Sequence, residues 1–161
     1  MTLKNSFFLV VLLLFLVSCD KKRVFDEYKT VGQNWHKDSI VSFTFEQKDT
    51  LTKQNLFINI RNNKNYPFNN LFLIVEMEHP SKKTLVDTLE YQMAQPDGTL
   101  LGEGLSDTKE NKLFYKENFV FKNSGQYKVT IQQAVRQSGK IEGIEKLEGL
   151  TEVGFRIEKQ E

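Results

Sequence analysis

Beyond residue 40 apolar and polar positions alternate. Val41, Phe43 and Phe45 are separated by Ser42, Thr44 and Glu46, and Leu56, Ile58 and Ile60 are spaced by Phe57, Asn59 and Arg61. A period of two marks strands with one buried face. The same pattern returns at Leu85, Leu89 and Tyr91, with Asp87 interrupting it. It is cleanest at Tyr127, Val129 and Ile131, and recurs at Val153, Phe155 and Ile157. Phe114 to Phe121 reads as a further strand with untidy alternation. Leu71 to Met77 is nearly continuous, with Leu71, Leu73, Val75 and Met77 on one face and Phe72 and Ile74 on the other. Such a run predicts a central strand covered on both sides over its first half.

The punctuation agrees. Asn62 to Asn70 is a polar loop rich in residues that tolerate a positive φ, and His79-Pro80-Ser81-Lys82 predicts a hairpin. Pro96-Asp97-Gly98-Thr99 and Asn123-Ser124-Gly125 read as turns. All three prolines fall in such breaks, where a missing N–H interrupts no ladder. Seven short strands with turns between them predict an all-β fold, a single antiparallel β-sandwich. Helix is the minority: Asp26 to Thr30 could form a turn and Ile141 to Leu150 a short helix, which Gly143 and Gly149 weaken.

The amino terminus follows other rules. Lys4 precedes an apolar run from Phe7 to Val17, which ends in Leu16-Val17-Ser18-Cys19. This is a secretory signal, too short for a transmembrane helix of roughly 20 residues. Its close matches the bacterial lipobox, which implies cleavage after Ser18 and acylation of Cys19. Two or more acyl chains anchor a protein durably, where one does so only marginally. The expected division is a removed signal at 1–18, a lipid-anchored tether and lead-in at 19–34, and the sandwich at 35–161. Asp20, Lys21, Lys22 and Arg23 read as a solvated spacer, with contact to anionic headgroups as the alternative.

Removing 18 residues from 161 leaves 143, enough for one domain with a real core. That mature chain holds 21 basic and 21 acidic side chains, because the signal takes one lysine and no acid. Zero net charge argues against nucleic-acid binding, which needs a basic surface. The only cysteine is Cys19, so no disulfide braces the fold. Nothing supports catalysis, a cofactor, a metal or a small-molecule substrate. His36 and His79 have no cysteine partners and no metal-ligand spacing; His36 reads as capping the approach to the first strand and His79 as a turn residue. Gly102-Glu103-Gly104-Leu105-Ser106-Asp107 lacks the glycine spacing and following helix of a phosphate loop, and reads as a flexible connection. The pairs Asp87/Glu90 and Glu103/Asp107 are no evidence in a chain with so many carboxylates.

Most aromatic rings lie on the alternating apolar faces. Trp35, Tyr66 and Phe68 do not, and sit beside polar residues. They form either an exposed partner-contact patch or plugs for the ends of the sandwich, with the plug preferred.

Several segments together resemble one family. They are the lipobox cysteine, Val24-Phe25-Asp26-Glu27-Tyr28, Trp35-His36-Lys37-Asp38-Ser39, and Asn62 to Asn70 leading into Leu71-Phe72-Leu73. Asp87-Thr88-Leu89-Glu90-Tyr91, Ala94-Gln95-Pro96-Asp97-Gly98 and Gly102-Glu103-Gly104 follow. Then come Leu113-Phe114-Tyr115-Lys116-Glu117 and Gly125-Gln126-Tyr127, ending in Gln133-Ala134-Val135-Arg136. In this order the chain resembles the gliding motility lipoprotein GldH family of the Bacteroidetes. The resemblance implies a non-enzymatic accessory of gliding motility and of the linked type IX secretion system, with other proteins of that machinery as partners. It also implies an envelope location, at the outer membrane or its periplasmic side, and the single acid Asp20 followed by three basic residues leans toward a periplasm-facing domain. A surface glycan-binding lipoprotein of a polysaccharide uptake system is the alternative, and it requires Trp35, Tyr66 and Phe68 to form an exposed platform.

Overall fold

The computed structural model describes residues 20–104 and 106–160. The signal segment and Cys19 lie outside the described residues. Ten strands form two four-stranded antiparallel sheets and a small ribbon. One sheet has the order β1 (Arg23–Thr30), β10 (Leu150–Lys159), β4 (Gln54–Asn63), β7 (Thr108–Phe119). The other runs β3 (Val41–Gln47), β8 (Gly125–Gln133), β5 (Asn70–Glu78), β6 (Thr84–Gln92). The ribbon pairs β2 (Asn34–His36) with β9 (Lys146–Glu148). All seven predicted strands are present, in a β-sandwich.

The apolar faces meet between the sheets. From the β1 sheet come Leu56, Ile58, Ile60, Val153, Phe155 and Ile157; from the other come Phe43, Leu73, Val75, Val129 and Ile131, all fully buried. Phe155 is the crossing point, with its ring centroid 6.1 Å from Phe43, 5.9 Å from Phe45 and 6.3 Å from Phe25. Phe45 stacks in turn on Tyr127 at 5.7 Å, and Phe121 closes that end edge-on at 4.9 Å from Tyr127. With no cross-link in the chain, this interlayer and the ladders supply the stability.

Several expectations change. Asp26 to Thr30 is not a turn: β1 pairs with β10 from Phe25↔Ile157 to Thr30↔Glu152. Its inward positions Glu27 and Lys29 are charged, as an edge strand permits, so alternation never announced it. The sheet therefore begins at Arg23, inside the segment expected to be a tether and lead-in. Ile141 to Leu150 is not a helix, because Lys146–Glu148 pair with β2 and Gly149 takes φ +79°. A Cβ at Gly149 would stand 2.2 Å from the Tyr66 nitrogen, so only glycine allows this close crossing. The strand expected at Phe114 starts earlier, at Thr108, and register shifts between Gln54 and Phe57 explain its untidy alternation. Phe57 and Asn59, expected to be solvent-side spacers, are buried, since Phe114 and Lys112 cover Phe57. Phe72 and Ile74 are only half-buried, so the outer face of β5 is partly open.

Ile131 is fully buried, whereas the outward Thr130 is half-buried between Ser42 and Glu76. In urea titrations Ile131→Ala is expected to cost about 2–5 kcal/mol, and Thr130→Ala to stay within about 1 kcal/mol.

Candidate functional site

The end of the sandwich that holds β2 and β9 contains the singled-out aromatics. Trp35 is 0 % exposed, held by the β2–β9 ribbon against Leu147, and its Nε1–H donates to the Ser39 carbonyl at 2.7 Å. Tyr66 is 4 % exposed and its hydroxyl donates to the Asn70 carbonyl at 2.6 Å. Burial pushes that phenol well above its usual pKa. Phe68 packs edge-on against Tyr66 at 6.0 Å and is half-buried. Two of the three rings are therefore closed inside the fold with satisfied polar tips, and no continuous platform of the three faces solvent. The partner-contact role of Trp35 and Tyr66 is corrected on this ground, because a ring bonded inward has no face to offer.

The histidines lie at opposite ends. His36 Nε2 is 3.4 Å from Glu145 Oε1, and its Nδ1 accepts the Asp38 N–H at 3.2 Å. His79 sits in the β5–β6 hairpin, 5.2 Å from the Tyr127 ring. Among the described residues no cluster of His, Cys, Asp and Glu could hold a metal ion. Three of the four paired acids are separately engaged: Asp87 with Tyr115 at 2.8 Å and Lys116 at 3.0 Å, Glu90 with Asn70 at 2.8 Å, and Asp107 with Lys64 at 3.6 Å.

Sequence reasoning missed an ionic network on the outer face of the β1 sheet. Tyr28 packs against Gly154, where a Cβ would come within 2.9 Å of its ring, and donates to Glu110 at 2.7 Å. Arg61 lies 4.3 Å from the Tyr28 ring centroid and donates to Glu110 at 2.9 Å and Glu152 at 2.6 Å. Arg156 donates to Asp26 at 2.5 Å and Glu158 at 2.6 Å, and also pairs with Asp20. Lys112 completes the set on Glu158 at 2.7 Å. Burial pushes the Glu110 and Glu158 carboxyls upward. Bonds from Tyr28 and Arg61 to the first, and from Lys112 and Arg156 to the second, outweigh it and hold both below the usual range. The network joins all four strands of this sheet and sews the lead-in to it. Alternation put Arg61 and Arg156 on the outer face, but their partners come from distant strands whose register no local pattern supplies.

A lipobox leader joined to one antiparallel sandwich defines a class: a membrane-anchored β-sandwich lipoprotein of the cell envelope. Comparison with known proteins is more specific. The GldH lipoprotein family pattern matches residues 23–157. The chain is similar to the gliding motility lipoprotein GldH of Flavobacterium johnsoniae, 63% identical over 161 residues and the full length of both. It is also similar to a gliding motility lipoprotein GldH homolog of Christiangramia forsetii, 52% identical over 157 residues, covering 98% of this chain and 96% of that one. The chain belongs to the GldH lipoprotein family. Among solved structures, a 4-O-methyl-alpha-glucuronidase with specificity for decorated arabinogalactans aligns at a TM-score of 0.45 and 11% identity. The alignment covers 89% of this chain and only 18% of that one, and it carries no functional argument.

Glu110 and Glu158 have folded pKa values below 4.5, their ordinary value. Their stabilisation is complete above that pH and is lost as pH falls through the folded values. The thermal midpoint is expected to hold from about pH 7 to about pH 5 and to decline below about pH 4.5. Arg61→Met should make that decline shallower, and an unchanged slope would contradict the assignment.

Proposed function

We propose that the protein is a non-enzymatic accessory of the gliding motility machinery and of the type IX secretion system linked to it. In this reading it is fastened through acylated Cys19 to the outer membrane, faces the periplasm, and works by holding protein partners. The observation that carries the reading is full-length identity of 63% with a gliding motility lipoprotein. The chemistry of the described residues is in keeping with it. The carboxylates and guanidinium groups of the most charged face are matched to one another, and the histidines stand apart.

A sandwich acting by contact offers its edges. β1 and β7 carry register shifts against their neighbours, a device that blunts an edge. β6 pairs with β5 in unbroken register over nine residues from Asn70↔Gln92 to Glu78↔Thr84, and among the described residues its other side pairs with no strand. It presents Thr84, Val86, Thr88, Glu90 and Gln92 outward in regular alternation. Addition of a partner strand along β6 is the physical route we favour.

Deletion of the gene in its host is expected to abolish surface spreading and to reduce secretion of type IX cargo. Loss of spreading with normal secretion would confine the role to motility; no effect on either would overturn the reading. Cys19→Ala should eliminate acyl labelling. His36→Ala and His79→Ala, at normal abundance, should complement the deletion; an abundant, folded histidine variant without function would mean that the protein does chemistry.

A further inference from the structure

Asp20, the first described residue, does not trail away from the domain. Its carboxylate pairs with Arg156, and its carbonyl accepts the Arg23 N–H at 3.3 Å. The Lys159 N–H donates to the Lys22 carbonyl at 2.9 Å. Consecutive Cα atoms are about 3.8 Å apart, so position 19 is within one residue of this corner. The inference rests on reading Cys19 as the acylated residue. The acyl chains then leave from the end of the sandwich that carries the 48–53, 79–83 and 120–124 connections, without enough slack to turn the domain over.

That end is strongly basic. In sequence, segments 20–23, 48–53, 79–83, 120–124 and 159–161 contain nine Lys and Arg against three Asp and Glu, and all nine basic side chains are exposed. The opposite end, in segments 31–40, 64–69, 93–107 and 134–149, has five Lys and Arg against seven Asp and Glu. The mature chain sums to zero, so this is segregation of charge and not a general excess.

Within the basic end stands an apolar residue with no cover. Leu51 is 89 % exposed. Its loop is held in shape: Asp49 Oδ1 accepts the N–H groups of Leu51 and Thr52, both at 3.0 Å. Those backbone bonds, Thr52 first, hold the Asp49 carboxyl below its usual range. The Gln160 N–H donates to the Lys53 carbonyl at 3.1 Å, which docks the loop on the terminal strand beside the lead-in. An ordered loop that presents one leucine among lysines fits the headgroup–acyl boundary, where apolar area inserts and cations meet phosphate.

We propose that this end is a second membrane contact. Leu51 enters the interface of an anionic phospholipid leaflet while Lys48, Lys53, Lys159 and the lead-in cations meet its phosphates. The domain therefore stands end-on, with the β2–β9 end turned away from the lipid. The acyl anchor supplies attachment and this surface supplies orientation.

The full-length processed protein tests this in vesicles of phosphatidylethanolamine and phosphatidylglycerol. Cys19 is the only cysteine, so wild-type protein should take up no thiol label when acylated; a labelled wild type would overturn the anchor reading itself. With that satisfied, Leu51→Cys and Ile141→Cys are each labelled with an environment-sensitive fluorophore. Ile141 is the matched control, 84 % exposed at the acid-rich end. The label at 51 should shift to the blue and be quenched by lipids carrying a spin label on the acyl chain, and the label at 141 should do neither. Lys48→Glu with Lys53→Glu, or raising salt from about 0.1 M to about 1 M, which shortens the Debye length from about 10 Å to about 3 Å, should reduce quenching at 51 and leave the protein bound through its lipid. Equal quenching at the two positions, or quenching at 51 indifferent to both charge reversal and salt, would overturn the proposed surface while leaving the anchor intact.

Discussion

Two adjacent residues on β10 tie the molecule together from opposite sides. Phe155 points inward, where its ring meets Phe25, Phe43, Phe45 and Tyr115 from three other strands. Arg156 points outward and gathers Asp20, Asp26 and Glu158. β10 is also the strand on which β1 and β4 both pair. The interlayer packing that replaces a disulfide and the attachment of the lead-in therefore depend on the same strand. Removing Arg156 leaves the half-buried Asp26 and Glu158 facing each other's charge, a larger penalty than losing an exposed ion pair.

In the proposed reading, that arrangement gives a generic sandwich a defined orientation. A lipoprotein whose anchor is followed by a long flexible linker can present any face to its membrane. Here, among the described residues, hydrogen bonds to the domain are already present at Asp20, and the sheet starts at Arg23. With Cys19 acylated as proposed, the anchor lies next to this corner of the fold, and the two ends of the sandwich are inequivalent. One carries the basic loops, and the other holds Trp35 and Tyr66 as internal struts. β6, an edge strand of its sheet among the described residues, runs between them.

How much of this was legible in the sequence follows from where the information lies. Alternation is local, so strands such as Tyr127 to Ile131, with apolar residues at every second position, announce themselves. The edge strand β1 did not, because Glu27 and Lys29 occupy inward positions where a central strand would carry valine or leucine. The β2–β9 ribbon is three residues a side and too short to show a period. Trp35 and Tyr66 stood among polar neighbours, which gave two readings; only the carbonyls of Ser39 and Asn70, which accept their polar hydrogens, close them inside the fold. The Arg61 and Arg156 network was invisible for a different reason. Arg61 and Glu152 are 91 positions apart and meet only through the register of β4 on β10. Cys19, by contrast, belongs to a linear motif and needs no fold to be read.

On the proposed acylation of Cys19, the fold starts beside the anchor, with Phe25 to Lys29 held in the sheet and not in a free tether. Amide hydrogen exchange across residues 20–30 of the processed protein tests it most directly. The amides of Phe25 to Lys29 that face β10 should exchange far more slowly than those of an unstructured chain, because opening them requires breaking the β1–β10 ladder. Exchange of the Phe25 to Lys29 amides at the rate of an unstructured chain, with Val153 to Ile157 still protected, would contradict it.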